Sequence, residues 1–151
     1  MSKKIYIMIG IQGSGKSEFC RRFLPDVARV NLDTLRTRNN EKRMIAELHA
    51  AGSDYVVDNT NPTRADRARY IVPAKNEDYR IIGYFMQSRL LDCIARNNLR
   101  EGRARIPSNA IAATSSKLEI PSKAEGFDEL YFVQNDGTNM TISEWRDNDE
   151  L

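Results

Sequence analysis

Ile5 to Ile9 is an apolar run of strand length that opens without a spacer into Gly10-Ile11-Gln12-Gly13-Ser14-Gly15-Lys16-Ser17, and Ser17 to Leu24 then has helix-forming composition. The eight positions fit G-x-x-x-x-G-K-[ST], a phosphate-binding loop between a strand and a helix. Gly13 and Gly15 carry no Cβ to block a phosphate. The backbone N–H groups there, Ser14 included, can converge on phosphate oxygens at the positive end of the following helix. Lys16 supplies a mobile charge for β- and γ-phosphates, and the Ser17 hydroxyl suits Mg²⁺. A glycine-rich turn serving packing alone would have no need of the Lys-Ser pair.

At 151 residues the chain reads as a single domain, 1–151, large enough to bury roughly 70% of its unfolded surface without staples. Its longest apolar runs, such as Ile81 to Met86, are far shorter than a membrane span, and no cleavable signal is evident, so a soluble, cytoplasmic protein is expected. Cys20 and Cys93 lack C-x-x-C spacing and read as buried free thiols with no disulfide partner. His49 stands alone and reads as a helix-end residue. Charge is segregated: residues 1–107 carry 20 Lys and Arg against 12 Asp and Glu, whereas residues 108–151 carry 3 against 9. The basic part holds the motifs, which suits a polyanionic partner, although ATP alone also calls for several cations.

Strands are expected at Val27–Asn31, Tyr55–Asp58, Arg80–Met86 and Leu130–Val133 besides the first. Helices are expected over Thr34–Ala51, stopped by Gly52, over Thr63 to about Lys75 with an interruption near Pro73, over Ser88–Arg100, and from Pro107 to about Ser115. Gln134 to Thr138 reads as a hairpin turn, and Thr141 to Trp145 as a short element of open type. Alternating strands and helices predict an α/β fold of the P-loop NTPase kind: a five-stranded parallel sheet flanked by helices, with a short arginine-bearing lid. Functional groups should gather beyond the carboxyl ends of the strands.

Asp33 falls at such an end, and a continuous helix would put Arg36 one turn away on the same face. The carboxylate can accept the proton of an attacking hydroxyl, and the guanidinium can grip an anionic acceptor. Asp33 could alternatively cap the helix it precedes. Asp58 closes the third strand and can hold the water shell of Mg²⁺. Asn59 and Thr60 beside it suit ligand contact, or only a turn. Arg64 and Arg67 share a helix face. Arg96 and Arg100, four apart, would project together beside Gly102, and a mobile arginine there could stabilise charge developing on a transferring phosphoryl group. A solvated basic helix end is the plainer account.

Taken in order, Val30-Asn31-Leu32-Asp33, Val57-Asp58-Asn59-Thr60-Asn61-Pro62, Arg67-Ala68-Arg69-Tyr70, Asn97-Asn98-Leu99-Arg100-Glu101, Ile106-Pro107 and Glu125-Gly126-Phe127 resemble the kinase domain of polynucleotide kinases, nearer the mammalian type than the phage type. The resemblance covers residues 5 to about 133. It implies transfer of the ATP γ-phosphate to a 5′-hydroxyl end of DNA or RNA, with ATP and Mg²⁺ as cofactors. Lys16 and Ser17 would bind ATP and the metal, with Asp58 acting on the metal through water, Asp33 would be the general base and Arg100 the lid arginine. Arg96 would join the ATP site; Arg36 or Arg67, with Asn59 and Thr60, would meet the acceptor. Leu32 stands where the family commonly has arginine, and Gln134 replaces the nucleophile of the family's phosphatase motif. A separate phosphatase or ligase could work alongside. Two other functions fit the loop: a kinase of a small metabolite or antibiotic, and a non-catalytic module switched by nucleotide.

Overall fold

The computed structural model describes residues 3–146. Its sheet has six strands in the order β2-β3-β1-β4-β5-β6: β2 Ala28–Val30, β3 Tyr55–Val57, β1 Lys4–Ile9, β4 Arg80–Met86, β5 Glu129–Asn135 and β6 Met140–Glu144. The first five in that order run parallel, as the alternation of elements implies, and β6 adds an antiparallel edge to β5. The sixth strand exists because the turn after Asn135 is a hairpin. Asp136 Oδ1 accepts the N–H groups of Thr138 and Asn139, at 2.9 and 2.6 Å, and sends the chain back so that Ile142 lies opposite Val133.

β1 is covered on both faces, which is why it reads as one apolar run rather than an alternation. Ile5, Ile7 and Ile9 enter a cluster with Val57, Tyr70, Ile71, Ile81 and Phe85 on one face, whereas Met8 packs with Phe19, Cys20, Val56 and Met86 on the other. The second face is closed by helix α1 (Lys16–Phe23). The first is closed by α3 (Arg38–Ala51), preceded by the single turn α2 (Leu32–Leu35), and by α4 (Arg64–Asn76). Helices α5 (Leu90–Asn97) and α6 (Ser108–Lys117) enclose a smaller cluster of Ile11, Cys93 and Ile111 at the carboxyl end of β1.

Three helix boundaries differ from expectation, each for a local reason. The span 34–51 is broken: Asn40 Nδ2 satisfies the Leu35 carbonyl, Arg36 adopts φ 75°, and the Thr37 hydroxyl caps a fresh helix through the Asn40 N–H. Helix α4 runs through Pro73 to Asn76, anchored by a reciprocal capping box between Thr63 and Asp66. Helix α5 stops at Asn97 because that side chain leaves the helix to make two hydrogen bonds with the Ile106 backbone, 2.6 and 2.9 Å, closing a loop over residues 98–105.

Among the described residues no helix is long and apolar enough to cross a membrane. Both cysteines are buried and free. Burial pushes the Cys20 thiol up to about 12, and burial likewise raises that of Cys93. Thiolate is the reactive form, so neither should react with a disulfide reagent at pH 8 in the native protein. Both should titrate once urea unfolds it, and rapid native labelling would contradict this packing.

Candidate active site

Gly10 to Gly15 wraps the end of β1 and is held from outside. The Gly10 N–H donates to the Thr60 carbonyl at 3.0 Å, and Arg96 Nε donates to the Gly13 carbonyl at 2.7 Å. The two loop glycines are needed by the protein itself. At Gly13, φ 82°, a Cβ would stand 2.3 Å from the Cys93 carbonyl oxygen; at Gly15, φ 101°, it would stand 2.5 Å from Asn135 Nδ2. On the side where a Cβ would project, α5 and β5 press against the loop and brace it, while Gly13, Gly15, Lys16 and Ser17 line the open cleft.

Inside the loop, Lys16 Nζ donates to the Ile11 carbonyl at 3.0 Å. Desolvation lowers its ammonium to about 8, opposed by Asp58 and reinforced by Arg100. The Ser17 hydroxyl donates to Asp58 Oδ2 at 3.0 Å, and Asp58 is 2% exposed. These are hard oxygen donors, and among the described residues there is no group of three His, Cys, Asp or Glu side chains able to cage a metal. One hydroxyl and one carboxylate beside a phosphate loop fit Mg²⁺, which keeps several waters and takes its remaining ligands from substrate phosphates.

The loop opens into a cleft of about 740 Å³ that brings together Lys16, Ser17, Asp33, Asp58, Asn59, Thr60 and Arg100. Asn31, not Asp33, caps α2: its Oδ1 accepts the Thr34 N–H at 3.0 Å. The Asp33 carboxylate lines the cleft, solvent-exposed, on the first turn of α2.

Other expected residues lie elsewhere. Arg67 is fully buried: Nε and Nη2 grip Glu125 at 2.7 and 3.1 Å, while Nη1 donates to the carbonyls of Asn61 and Pro62 at 3.0 and 3.1 Å. With its donors spent on the scaffold it cannot meet an acceptor. Arg36 follows the end of α2 with φ 75°, is not on a helical face shared with Asp33, and lies outside the cleft lining. Arg96 braces the loop, also reaching the Asn135 carbonyl at 3.4 Å, and does not project with Arg100, which falls beyond α5. Ser14 is buried, and its hydroxyl has no hydrogen-bond partner among the described residues. Asn59 lines the cleft, yet its side chain is committed: Oδ1 accepts the Leu32 N–H at 2.9 Å and Nδ2 donates to Glu41 at 3.2 Å and Tyr70 at 3.1 Å.

That last contact exposes a group the sequence did not announce. Glu41 is 1% exposed and accepts from Arg38 Nη1 and from the Tyr70 hydroxyl, both at 2.9 Å. Burial and the Glu41 carboxylate push the Tyr70 phenol up. Through Asn59, this network holds the backbone of the turn that carries Asp33, and it presents Arg38 on the cleft wall. In sequence, Arg38 and Glu41 look like a solvated i,i+3 pair; only folding sets Asn59 and Tyr70 against them.

Mostly parallel sheet, braced glycine loop, Ser–Asp pair and open cleft define a P-loop fold of the kind found in kinases. The chain belongs to the AAA domain family, which it matches over residues 5–121. It is 27% identical over 132 residues to a bifunctional polynucleotide phosphatase/kinase of Schizosaccharomyces pombe, covering 83% of this chain and 32% of that one, so it spans about a third of that relative's length. A chain in the structure of the Pnkp1/Rnl/Hen1 RNA repair complex shares the fold with a TM-score of 0.61 at 24% identity, over 78% of this chain and 44% of that one. A gluconokinase from Sinorhizobium meliloti 1021 shares it with a TM-score of 0.60 at 17% identity, over 87% and 82%. The relative in the first comparison agrees with the likeness to polynucleotide kinases carried by the motifs.

Arg67 and Arg36 should separate by their contribution to stability. Arg67→Ala leaves Glu125 buried without its partner and should cost about 3–5 kcal/mol in urea unfolding. Arg36→Ala, at an exposed position, should stay within about 0.5 kcal/mol of the parent.

Proposed function

We propose that this chain is an ATP- and Mg²⁺-dependent polynucleotide 5′-hydroxyl kinase, acting on DNA or RNA ends. The observation that carries this reading is an aspartate with no capping duty, Asp33, in the same cleft as the loop lysine, Lys16, and the Ser17–Asp58 pair. A nucleotide switch has little use for such a carboxylate. The cleft is lined by Lys16, Arg21, Arg38, Arg100 and Lys117 as well as by Glu18, Asp33, Asp58 and Asp66, and its cations suit the phosphates of ATP and of a polyanionic acceptor. The polynucleotide phosphatase/kinase relative supports the same class of substrate, and a phosphatase or ligase would act on the same ends.

In this mechanism the triphosphate lies along the loop, with Lys16 neutralising its β- and γ-oxygens. The acceptor hydroxyl lies against Asp33, which takes its proton as the oxygen attacks the γ-phosphorus. The new O–P bond forms while the bond to the β-phosphate oxygen breaks, and ADP leaves. Arg100, on the loop closed by Asn97 and Ile106, meets charge that develops on the transferring group. Arg38, steadied by Glu41 and Tyr70, holds an acceptor phosphate. Ser17 and, through water, Asp58 would hold Mg²⁺, which would supply further neutralisation of the β- and γ-phosphates.

The test is transfer of label from γ-labelled ATP to 5′-hydroxyl oligonucleotides of DNA and RNA, with a nucleoside and gluconate as competing acceptors. Oligonucleotides should be labelled and the small molecules not; the reverse pattern would reassign the site to a metabolite kinase. Asp33→Asn should lower turnover by about 10²- to 10⁴-fold with ATP affinity retained, whereas Lys16→Ala should lose both. An active Asp33→Asn enzyme would remove the base from this scheme.

A further inference from the structure

Arg29 is the middle residue of the three-residue strand β2 and pairs in register with Val56 of β3. Its side chain is 41% exposed, yet the guanidinium turns back to the cleft floor. Nε donates to Asp58 Oδ2 at 2.7 Å, and Nη2 donates to the Ser17 hydroxyl oxygen at 3.1 Å, the same hydroxyl that donates to Asp58 Oδ2 at 3.0 Å. The three groups form a closed ring. Oδ2 receives two donors, while Oδ1 accepts none among the described residues.

This ring has an electrostatic consequence. The two protein groups suited to Mg²⁺ are held together by a positive charge that belongs to the protein itself. Arg29 cancels the Asp58 carboxylate and puts a guanidinium nitrogen 3.1 Å from the oxygen that would ligate the metal. A free divalent ion meets a neutralised pair and a like charge beside it. The triphosphate changes that balance by adding several negative charges to the same place. We propose that Arg29 is a positioning residue of the metal site: it keeps Ser17 and Asp58 in register before nucleotide arrives, and it excludes divalent cations that arrive alone. Metal then enters only as its nucleotide complex. The partial exposure of Arg29 leaves its Nη2 room to swing off Ser17 when that complex binds.

The inference rests on the assignment of Ser17 and Asp58 to Mg²⁺ and is independent of which acceptor the kinase uses. Its test is Mn²⁺ binding to the full chain without nucleotide, followed by electron paramagnetic resonance. Arg29→Met, which keeps length and removes charge, should bind Mn²⁺ at least about tenfold more tightly than the parent. Arg29→Lys should stay close to the parent, and adding Asp58→Asn to Arg29→Met should abolish the gain. Equal affinity in the parent and Arg29→Met, or a Lys variant that behaves like the Met variant, would overturn the proposal. Arg29→Gln serves the same comparison if the Met variant does not fold. With ATP present, Asp58→Asn should weaken Mn²⁺ binding; if it does not, the metal assignment itself fails. A failure of the Arg29 comparison with that control intact removes only the role of Arg29.

Discussion

Asp58 is the point at which the site is tied together. Its N–H donates to the Val30 carbonyl at 2.8 Å, its own carbonyl accepts from Asn31 Nδ2 at 2.7 Å, and its carboxylate takes Ser17 and Arg29. One buried residue thereby fixes the ends of β2 and β3 against the first turn of α1 and the cap of α2. A carboxylate this deep is tolerated only with its charge paired and its oxygens bonded. The same pairing sets the hydroxyl and carboxylate side by side, as the proposed Mg²⁺ site would require. Scaffold and chemistry share the same hydrogen bonds.

The phosphate loop depends on a second set of constraints, imposed from the opposite side. Cys93 on α5 and Asn135 at the end of β5 approach the loop so closely that only glycine fits at positions 13 and 15, and Arg96 fastens the Gly13 carbonyl. The left-handed backbone of these glycines costs little because no Cβ opposes it. A loop whose conformation is set before ligand arrives loses little freedom on binding, and fixed dipoles aimed at developing charge are worth most when they need not reorganise. Arg96 therefore serves as a brace, and of the two it is Arg100, released from the helix by the turn at Asn97, that lines the cleft.

Arginine shows best why composition does not sort function. Arg29, Arg36, Arg38, Arg67, Arg96 and Arg100 carry one chemistry, and the sequence places most of them near motifs. Folding gives Arg67 to a buried carboxylate 58 positions later, Arg96 to loop carbonyls, Arg29 to Asp58, and Arg38 to Glu41 and Tyr70. The break at Leu35 then turns Arg36 out of register with Asp33. None of these partners is a near neighbour in the way a helix-spacing argument requires, apart from Glu41, and that pair by itself reads as surface.

Local patterns alone determined the class of fold and where its candidate site lies. A doubly covered strand is apolar throughout, a glycine-lysine-serine turn follows it here, and Asp33 and Asp58 come within three residues of the ends of β2 and β3; each of these is a short-range pattern written in consecutive residues. The tertiary structure decided what long-range pairing controls: which arginines face the cleft, why the glycines are indispensable, that Asn31 frees Asp33 from capping, and that a hairpin adds a sixth strand. The reason is that a buried charge is placed by whichever partner can satisfy it, and that partner is chosen by the packing of elements far apart along the chain.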